Sequence, residues 1–196
     1  MEERVSLSPS PQRTADEPWL GRAIDAWFTG AQDFLLGRTT YEIFYGSWPK
    51  MISDDQVSQK INFNKKYVAS RTLSDVEWET AELLQGDVGD AIRKLKAEDG
   101  GELQVHGSAG LIQTLLKEDL VDELRLIVFP VVLGEGKRLF GDGAVPAGLK
   151  LVDSSVFSSG VVLVAYEREG DVRYGSFALE EPNEAELARR SKLREG

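Results

Sequence analysis

Apolar residues recur along this chain in two alternating rhythms. Leu20, Ile24, Trp27 and Phe28 fall at helical spacing and predict a helix over 18–29. Pro18 suits its first turn, and Asp16 can cap it. Residues 33–36 form a short apolar run closed by Gly37, the mark of a buried strand. Thr39 or Thr40 can cap the helix that follows, through about Tyr45, and another helix fits 54–64. Tyr67-Val68-Ala69 is the apolar heart of a strand over 66–70. Val88, Ile92 and Leu95 set a helix over 86–98, which Gly100-Gly101 ends. A strand over 102–106 leads into a helix that begins at Ser108 and carries Leu111, Ile112, Leu115 and Leu116 on one face. The long apolar run 124–133 reads as a central strand bent at Pro130. The stretches 149–156 and 160–168 pair as a terminal hairpin turned near Ser158-Ser159.

Strands alternating with helices predict an α/β fold in three layers. Its mainly parallel central sheet uses 33–36, 66–70, 102–106 and 124–133, and the C-terminal antiparallel hairpin lies at its edge. The chain divides into an N-terminal loop or shortened first element over 1–18, a domain over 19–169 and a charged tail over 170–196. Within the tail, acidic residues come first and basic residues last over 180–194. That order suits a solvated helix by its dipole. The stretch has little apolar stripe, so a disordered tail or a crossing arm reads equally well. Val161-Val162-Leu163-Val164-Ala165 is more apolar than one buried face needs, which predicts a homodimer built partly on the hairpin.

Composition narrows the chemistry. At 196 residues, 41% hydrophobic and 29% charged, the chain can bury a core without staples. It has no cysteine, so disulfides and thiolate metal sites are excluded, and its one histidine, His106, cannot build a zinc site. A net charge of −10 weighs against binding nucleic acid or anionic lipid. No apolar run is long enough to span a bilayer, and residues 1–12 lack a signal core. A cytoplasmic location is therefore expected. A Gly-x-Ser-x-Gly elbow is absent, which leaves a serine hydrolase without support. Trp27, Trp48 and Trp78 read as core, and Asp54-Asp55 and Glu180-Glu181 as solvent-facing pairs.

Three strand ends carry the candidate chemistry. At Gly37-Arg38-Thr39 a strand meets a helix start, where free N–H groups, a guanidinium and a hydroxyl can hold a phosphate. The alternative there is a plain corner whose arginine makes a structural ion pair. At Ser70-Arg71 a strand stops at a hydroxyl followed by a guanidinium that can pair with a 2′-phosphate; alone, it reads as a surface arginine. At Gly107-Ser108-Ala109 a glycine permits close approach of a pyrophosphate, although the run is not a G-x-G-x-x-G fingerprint. The alternative is a tight turn. If that turn is a pocket, Gly107→Ala should weaken binding and leave stability nearly unchanged.

Taken together, these runs resemble a known family. Phe34-Leu35-Leu36-Gly37-Arg38-Thr39-Thr40-Tyr41, Val68-Ala69-Ser70-Arg71 and Val105-His106-Gly107-Ser108-Ala109-Gly110 are similar to the cofactor strands and turns of the dihydrofolate reductase-like, riboflavin-reductase C-terminal-domain family. So is the stretch from Asp122 to Pro130, with Leu133-Gly134 to Phe140 after it. The likeness covers roughly 33–167. It implies a dihydrofolate reductase-like fold and an NADPH-dependent reductase of a pterin, an aminopyrimidine or a related heterocycle. The type reaction is reduction of 5-amino-6-(5-phosphoribosylamino)uracil. It also implies a homodimer that takes a small heterocyclic substrate. NADPH would lie on Gly37, Arg38, Thr39, Ser70, Arg71, Gly107, Ser108 and Ala109. The alternative is a non-catalytic nucleotide binder or dimeric scaffold of the same fold.

The chain departs from the family at its start. Members open with a buried central strand and a Ser-Leu-Asp-Gly-like turn, whose acidic residue lies near the substrate. Here Ser6-Leu7-Ser8-Pro9 lacks that acid and glycine. Catalytic residues are thus unassigned, with Asp16, Glu17 and Asp25 as the available substitutes for the proton donor.

Overall fold

The computed structural model describes residues 18–141, 144–173 and 183–194. The Asp16 cap, Glu17, the Ser6-Leu7 element and the Glu180-Glu181 pair lie outside the described residues.

Strand β1 (Ala31–Gly37) is the axis of the molecule. Phe34, Leu35 and Leu36 are at most 1% exposed, as a parallel strand covered on both faces requires. Phe34 and Leu36 face one core, filled by Leu20, Ile24 and Phe28 of α1 (Pro18–Thr29), Tyr41 and Phe44 of α2 (Arg38–Ser47) and Ile61 of α3 (Gln56–Phe63). Leu35 faces a second core with Tyr67, with Ile92 of α4 (Val88–Lys96) and with Leu111 and Leu115 of α5 (Ala109–Lys117). Each of these side chains gains about 1.5–3 kcal/mol by leaving water. Helices on both faces of one sheet give the expected three layers.

The sheet runs β3-β2-β1-β4, all parallel, with β2 at Lys66–Ala69, β3 at Ala81–Leu83 and β4 at Glu102–Val105. A second, antiparallel sheet runs β5-β7-β6, from Glu123–Val128, Val162–Arg168 and Leu149–Val156. The α/β class with its antiparallel C-terminal hairpin is thus as expected, and one strand assignment is corrected. The run 124–133 does not join the parallel sheet. Its first part pairs with β7 instead, and the strand stops at Val128. Pro130 has no N–H to donate, and a Cβ on Gly160 would meet its ring at 3.2 Å. Val131, Val132 and Leu133 are exposed. The fourth parallel strand is β3, only three residues long.

Helix ends differ in detail. Asp55 caps α3 by accepting from the Ser58 N–H, and Asp87 caps α4 by accepting from the Asp90 N–H. Gly100 and Gly101 do not end α4, because neither has a left-handed φ and the helix closes at Ala97. A Cβ on Gly101 would meet the Gln32 side chain at 3.0 Å, so this glycine permits a close approach of two loops. In the tail, α6 (Glu184–Arg194) is helical, with Glu186 paired to Arg189 and Arg190. Among the described residues no helix is long and apolar enough to cross a membrane.

Lys66 is fully buried at the start of β2. Its Nζ donates to the carbonyls of Asn62 (3.0 Å) and Asn64 (2.7 Å) and to Thr80 Oγ1 (2.6 Å), and it lies 4.1 Å from the Trp78 ring centre. Burial drives its pKa down to about 7, and Asp33 pushes it back up. A folded pKa below the ordinary value means that the folded state binds fewer protons between pH 7 and 10.5. Stability should therefore fall as pH drops through that window, at up to about 1.4 kcal/mol per pH unit. Denaturant unfolding of wild type and Lys66→Met across pH 7–10 checks this. The stability of wild type minus that of Lys66→Met should fall as pH falls, and a pH-independent difference would refute it.

Candidate functional site

The carboxyl ends of β1, β2 and β4 open on one edge of the parallel sheet, where ligands of open α/β sheets collect. Two helices start there side by side. Gly37 occupies the N-cap of α2 and Ser108 that of α5, and neither caps its own helix with a side-chain hydrogen bond. The first-turn N–H groups of both helices are thus uncapped by side chains. The expected cap at Thr39 or Thr40 is corrected: α2 already starts at Arg38, so both threonines lie inside its first turn.

Thr40 has another task. Its Oγ1 accepts from the Ser108 N–H (3.1 Å) and from the Ser108 hydroxyl (2.9 Å). Ser108 Oγ accepts in turn from the Gly37 N–H at 2.9 Å. These neutral bonds stitch the end of β1 to the end of β4. Gly107 and Ser108 both adopt left-handed backbone, at φ 60° and 54°. A serine there is strained, and two hydrogen-bonded partners hold it. This overturns the expectation that Gly107→Ala would spare stability, because an alanine would be forced to a positive φ with its Cβ 3.3 Å from Thr40 Oγ1.

Arg38 reaches from α2 to the end of β2. Its Nε donates to Glu42 Oε1 (2.7 Å) and its Nη1 to Thr72 Oγ1 (2.8 Å). Ser70 Oγ accepts from the N–H groups of Thr72 (3.1 Å) and Leu73 (3.0 Å), so this hydroxyl shapes its own turn. Arg71 and Thr39 are exposed and make no side-chain hydrogen bond or ion pair with the described residues. The structure therefore gathers Gly37, Gly107 and Ser108 tightly and ties Arg38 to the loop after Ser70. Ala109 is the first residue of α5, and Arg71 stands free.

His106 is buried beneath this edge, with its ring 4.8 Å from that of Phe28 and 5.6 Å from that of Phe34. Gln104 donates to the Trp27 carbonyl, which leaves its Oε1 to accept from His106 Nε2 at 3.1 Å. Burial, and secondarily Arg125, push the imidazole pKa down to about 4. The ring is neutral at pH 7, and its Nδ1 has no partner among the described residues. Asp25 is exposed on α1. Two features had no sequence signal. One is the Thr40–Ser108 stitch, which spans 68 residues. The other is the pairing of Arg125 with Glu102 at the opposite end of β4.

A parallel sheet with helix starts at its carboxyl edge, and an antiparallel sheet beyond it, defines a dihydrofolate reductase-like α/β protein. The chain belongs to the RibD C-terminal domain family, which matches residues 8–163. The match begins ahead of the motifs quoted from the sequence. The chain is 37% identical over 139 residues to the uncharacterized protein YyaP of Bacillus subtilis, covering 69% of this chain and 73% of that one. To YwjB of the same organism, also uncharacterized, it is 29% identical over 129 residues, covering 66% and 70%. Among solved structures it resembles a protein of Shewanella sp. PV-4 named for riboflavin biosynthesis, with TM-score 0.61 and 26% identity over 82% and 84% of the two chains. A pyrimidine reductase-like protein of Corynebacterium diphtheriae shares the fold, with TM-score 0.53 and 14% identity over 72% and 77%.

The stitched corner makes a stability prediction. Ser108→Ala leaves the Gly37 N–H without its acceptor and should cost about 1–3 kcal/mol. Ser108→Gly loses the same bonds but relieves the left-handed strain, worth about 1–2 kcal/mol. Thermal unfolding should rank wild type above Ser108→Gly, and Ser108→Gly above Ser108→Ala. Equal losses for the two variants would show that the backbone strain is absent in solution. Gly107→Ala should also lower the melting temperature.

Proposed function

We propose that this protein is an NADPH-dependent reductase of a pterin, an aminopyrimidine or a related heterocycle, of the kind that reduces 5-amino-6-(5-phosphoribosylamino)uracil. One observation carries the reading: two uncapped helix starts lie on one sheet edge, with Arg38 opening α2 and Arg71 following the end of β2 beside it. That set of donors suits a dinucleotide's phosphates. The first-turn N–H groups of α2 and α5 would hold the pyrophosphate, with Gly37 and Gly107 leaving room for its approach. Thr39 and Ala109 belong to those first turns. Arg71, the free guanidinium, would take the 2′-phosphate, and Ser70 would hold the turn that carries it. Bound NADPH supplies the hydride; the chain's part is to bind, orient and exclude water.

A non-catalytic nucleotide binder is the second reading. It is favoured by the run Ser6-Leu7-Ser8-Pro9, which lacks the acid and glycine of the family's opening turn. Turnover of NADPH with a panel of pterins and aminopyrimidines separates the two.

Cofactor choice tests the site directly. Loss of one charge-assisted contact costs roughly 1.5–3 kcal/mol, or about 10- to 150-fold in affinity. Wild type should bind NADPH that much more tightly than NADH by fluorescence titration, and Arg71→Ala should bind both alike. Equal affinity in the wild type would refute the role of Arg71.

The same reading includes a homodimer through β6. Its Leu149, Leu151, Val152 and Val156 are 40–76% exposed, a larger apolar strip than a lone sheet face usually shows to water. A register shift after Leu151 turns neighbouring apolar residues outward together. Light scattering at micromolar concentration should give twice the chain mass, and Leu151→Asp with Val156→Asp should halve it. A monomeric wild type would count against this interface.

A further inference from the structure

Arg38 opens α2, and no acidic residue accompanies it in the first turn. A cation there opposes the helix macrodipole, whose positive end lies at that point. Glu42 follows one turn later, and an acid after its base stabilises a helix less than the reverse order. The two side chains are about half exposed, at 50% and 46%, and exposed pairs of this kind contribute little to folding. Stability therefore does not account for a guanidinium in this place.

The guanidinium is nevertheless held on two sides. Nε donates to Glu42 Oε1 at 2.7 Å and Nη1 to Thr72 Oγ1 at 2.8 Å. Bonds to two nitrogens of a planar group set both its position and its plane. Nη2 makes no hydrogen bond with the described residues, so both of its hydrogens remain for a ligand.

Both acceptors stand on fixed supports. Glu42 belongs to α2, which Tyr41 and Phe44 anchor in the core. Thr72 belongs to the turn after β2. Its N–H and that of Leu73 donate to Ser70 Oγ at 3.1 and 3.0 Å. The same turn carries Arg71, and Arg38 ties it to the start of α2 across 34 residues of sequence. A long side chain left loose must be ordered when a ligand binds, which weakens affinity. Here the ordering is already done.

We propose that Glu42 and Thr72 are positioning residues, which hold the Arg38 guanidinium in place for the cofactor's pyrophosphate before it binds. The proposal rests on the reading of this edge as a dinucleotide site. A carboxylate beside a phosphate repels it, so Glu42 serves through the hydrogen bond it accepts and not through its charge. Glutamine, whose Oε1 also accepts from Nε, should serve at least as well.

The test is titration of NADPH and NADH by nicotinamide fluorescence, with thermal unfolding of every variant. Glu42→Gln should bind both cofactors at least as tightly as wild type. Glu42→Ala should bind both about fivefold more weakly than Glu42→Gln, the scale of immobilising one long side chain, with a melting temperature close to wild type. Both variants remove the charge, so their contrast isolates the hydrogen bond. Thr72→Val should weaken binding similarly, and Thr72→Ser should restore it. In an Arg38→Ala background, Glu42→Ala should have no further effect, because Glu42 acts through Arg38. Where that background binds too weakly to titrate, the glutamine–alanine contrast decides alone.

Equal affinities of Glu42→Gln and Glu42→Ala would overturn the proposal. Tighter binding by Glu42→Ala would do the same, since Glu42 would then be a competitor for Arg38. A melting temperature that falls in step with binding would make the role structural and overturn it as well. A wild type that binds neither cofactor would overturn the dinucleotide reading itself, and this proposal with it.

Discussion

The rest of the structure depends on β1 being apolar on both faces. Phe34 and Leu36 need cover on one side and Leu35 on the other. A strand of that kind is stable only inside a sheet with helices on both faces. Parallel neighbours require crossovers, and each crossover returns a helix to the sheet. Helix starts and strand ends are therefore brought to the same edge. The candidate site is a consequence of how one three-residue apolar run is covered.

That run was plain in the sequence, and so were most elements with a clear period. The helix over 18–29 and the terminal hairpin were readable because their apolar positions repeat over several turns or pairs. β3 was not, because Ala81-Glu82-Leu83 is too short to show a period. The run 124–133 was recognisable as a strand but not as a member of the second sheet, since pairing partners are set by tertiary contacts that a period does not encode. At the site, the three turns were visible as small residues after strands. The left-handed serine was invisible, because its strain is held by Thr40, a partner distant in sequence.

The stitched corner divides its labour by charge. Neutral hydroxyls and amides join β1 to β4 through Gly37, Ser108 and Thr40. Had charged groups done this, their desolvation would offset much of the gain. The arginines are instead left exposed: Arg38 is half exposed and held by Glu42 on the surface, and Arg71 makes no side-chain bond with the described residues. Exposed pairs of that kind contribute little to folding, so the rim can be remodelled by a ligand with small effect on the fold beneath it.

This division also governs how an anion would be recognised. The chain carries a net charge of −10, which repels anions at long range. Beyond about 8 Å, physiological salt screens most of that repulsion. In the proposed site, Arg38 and Arg71 would therefore act only over contact distances and could not steer a distant ligand. If the edge holds a phosphorylated cofactor as proposed, selectivity must come from matched geometry, with uncapped N–H groups and a planar guanidinium set against particular oxygens. On the proposed reading, a rigid corner suits that need. A loose turn would let the helix starts drift, and contact-range recognition has no long-range attraction to compensate.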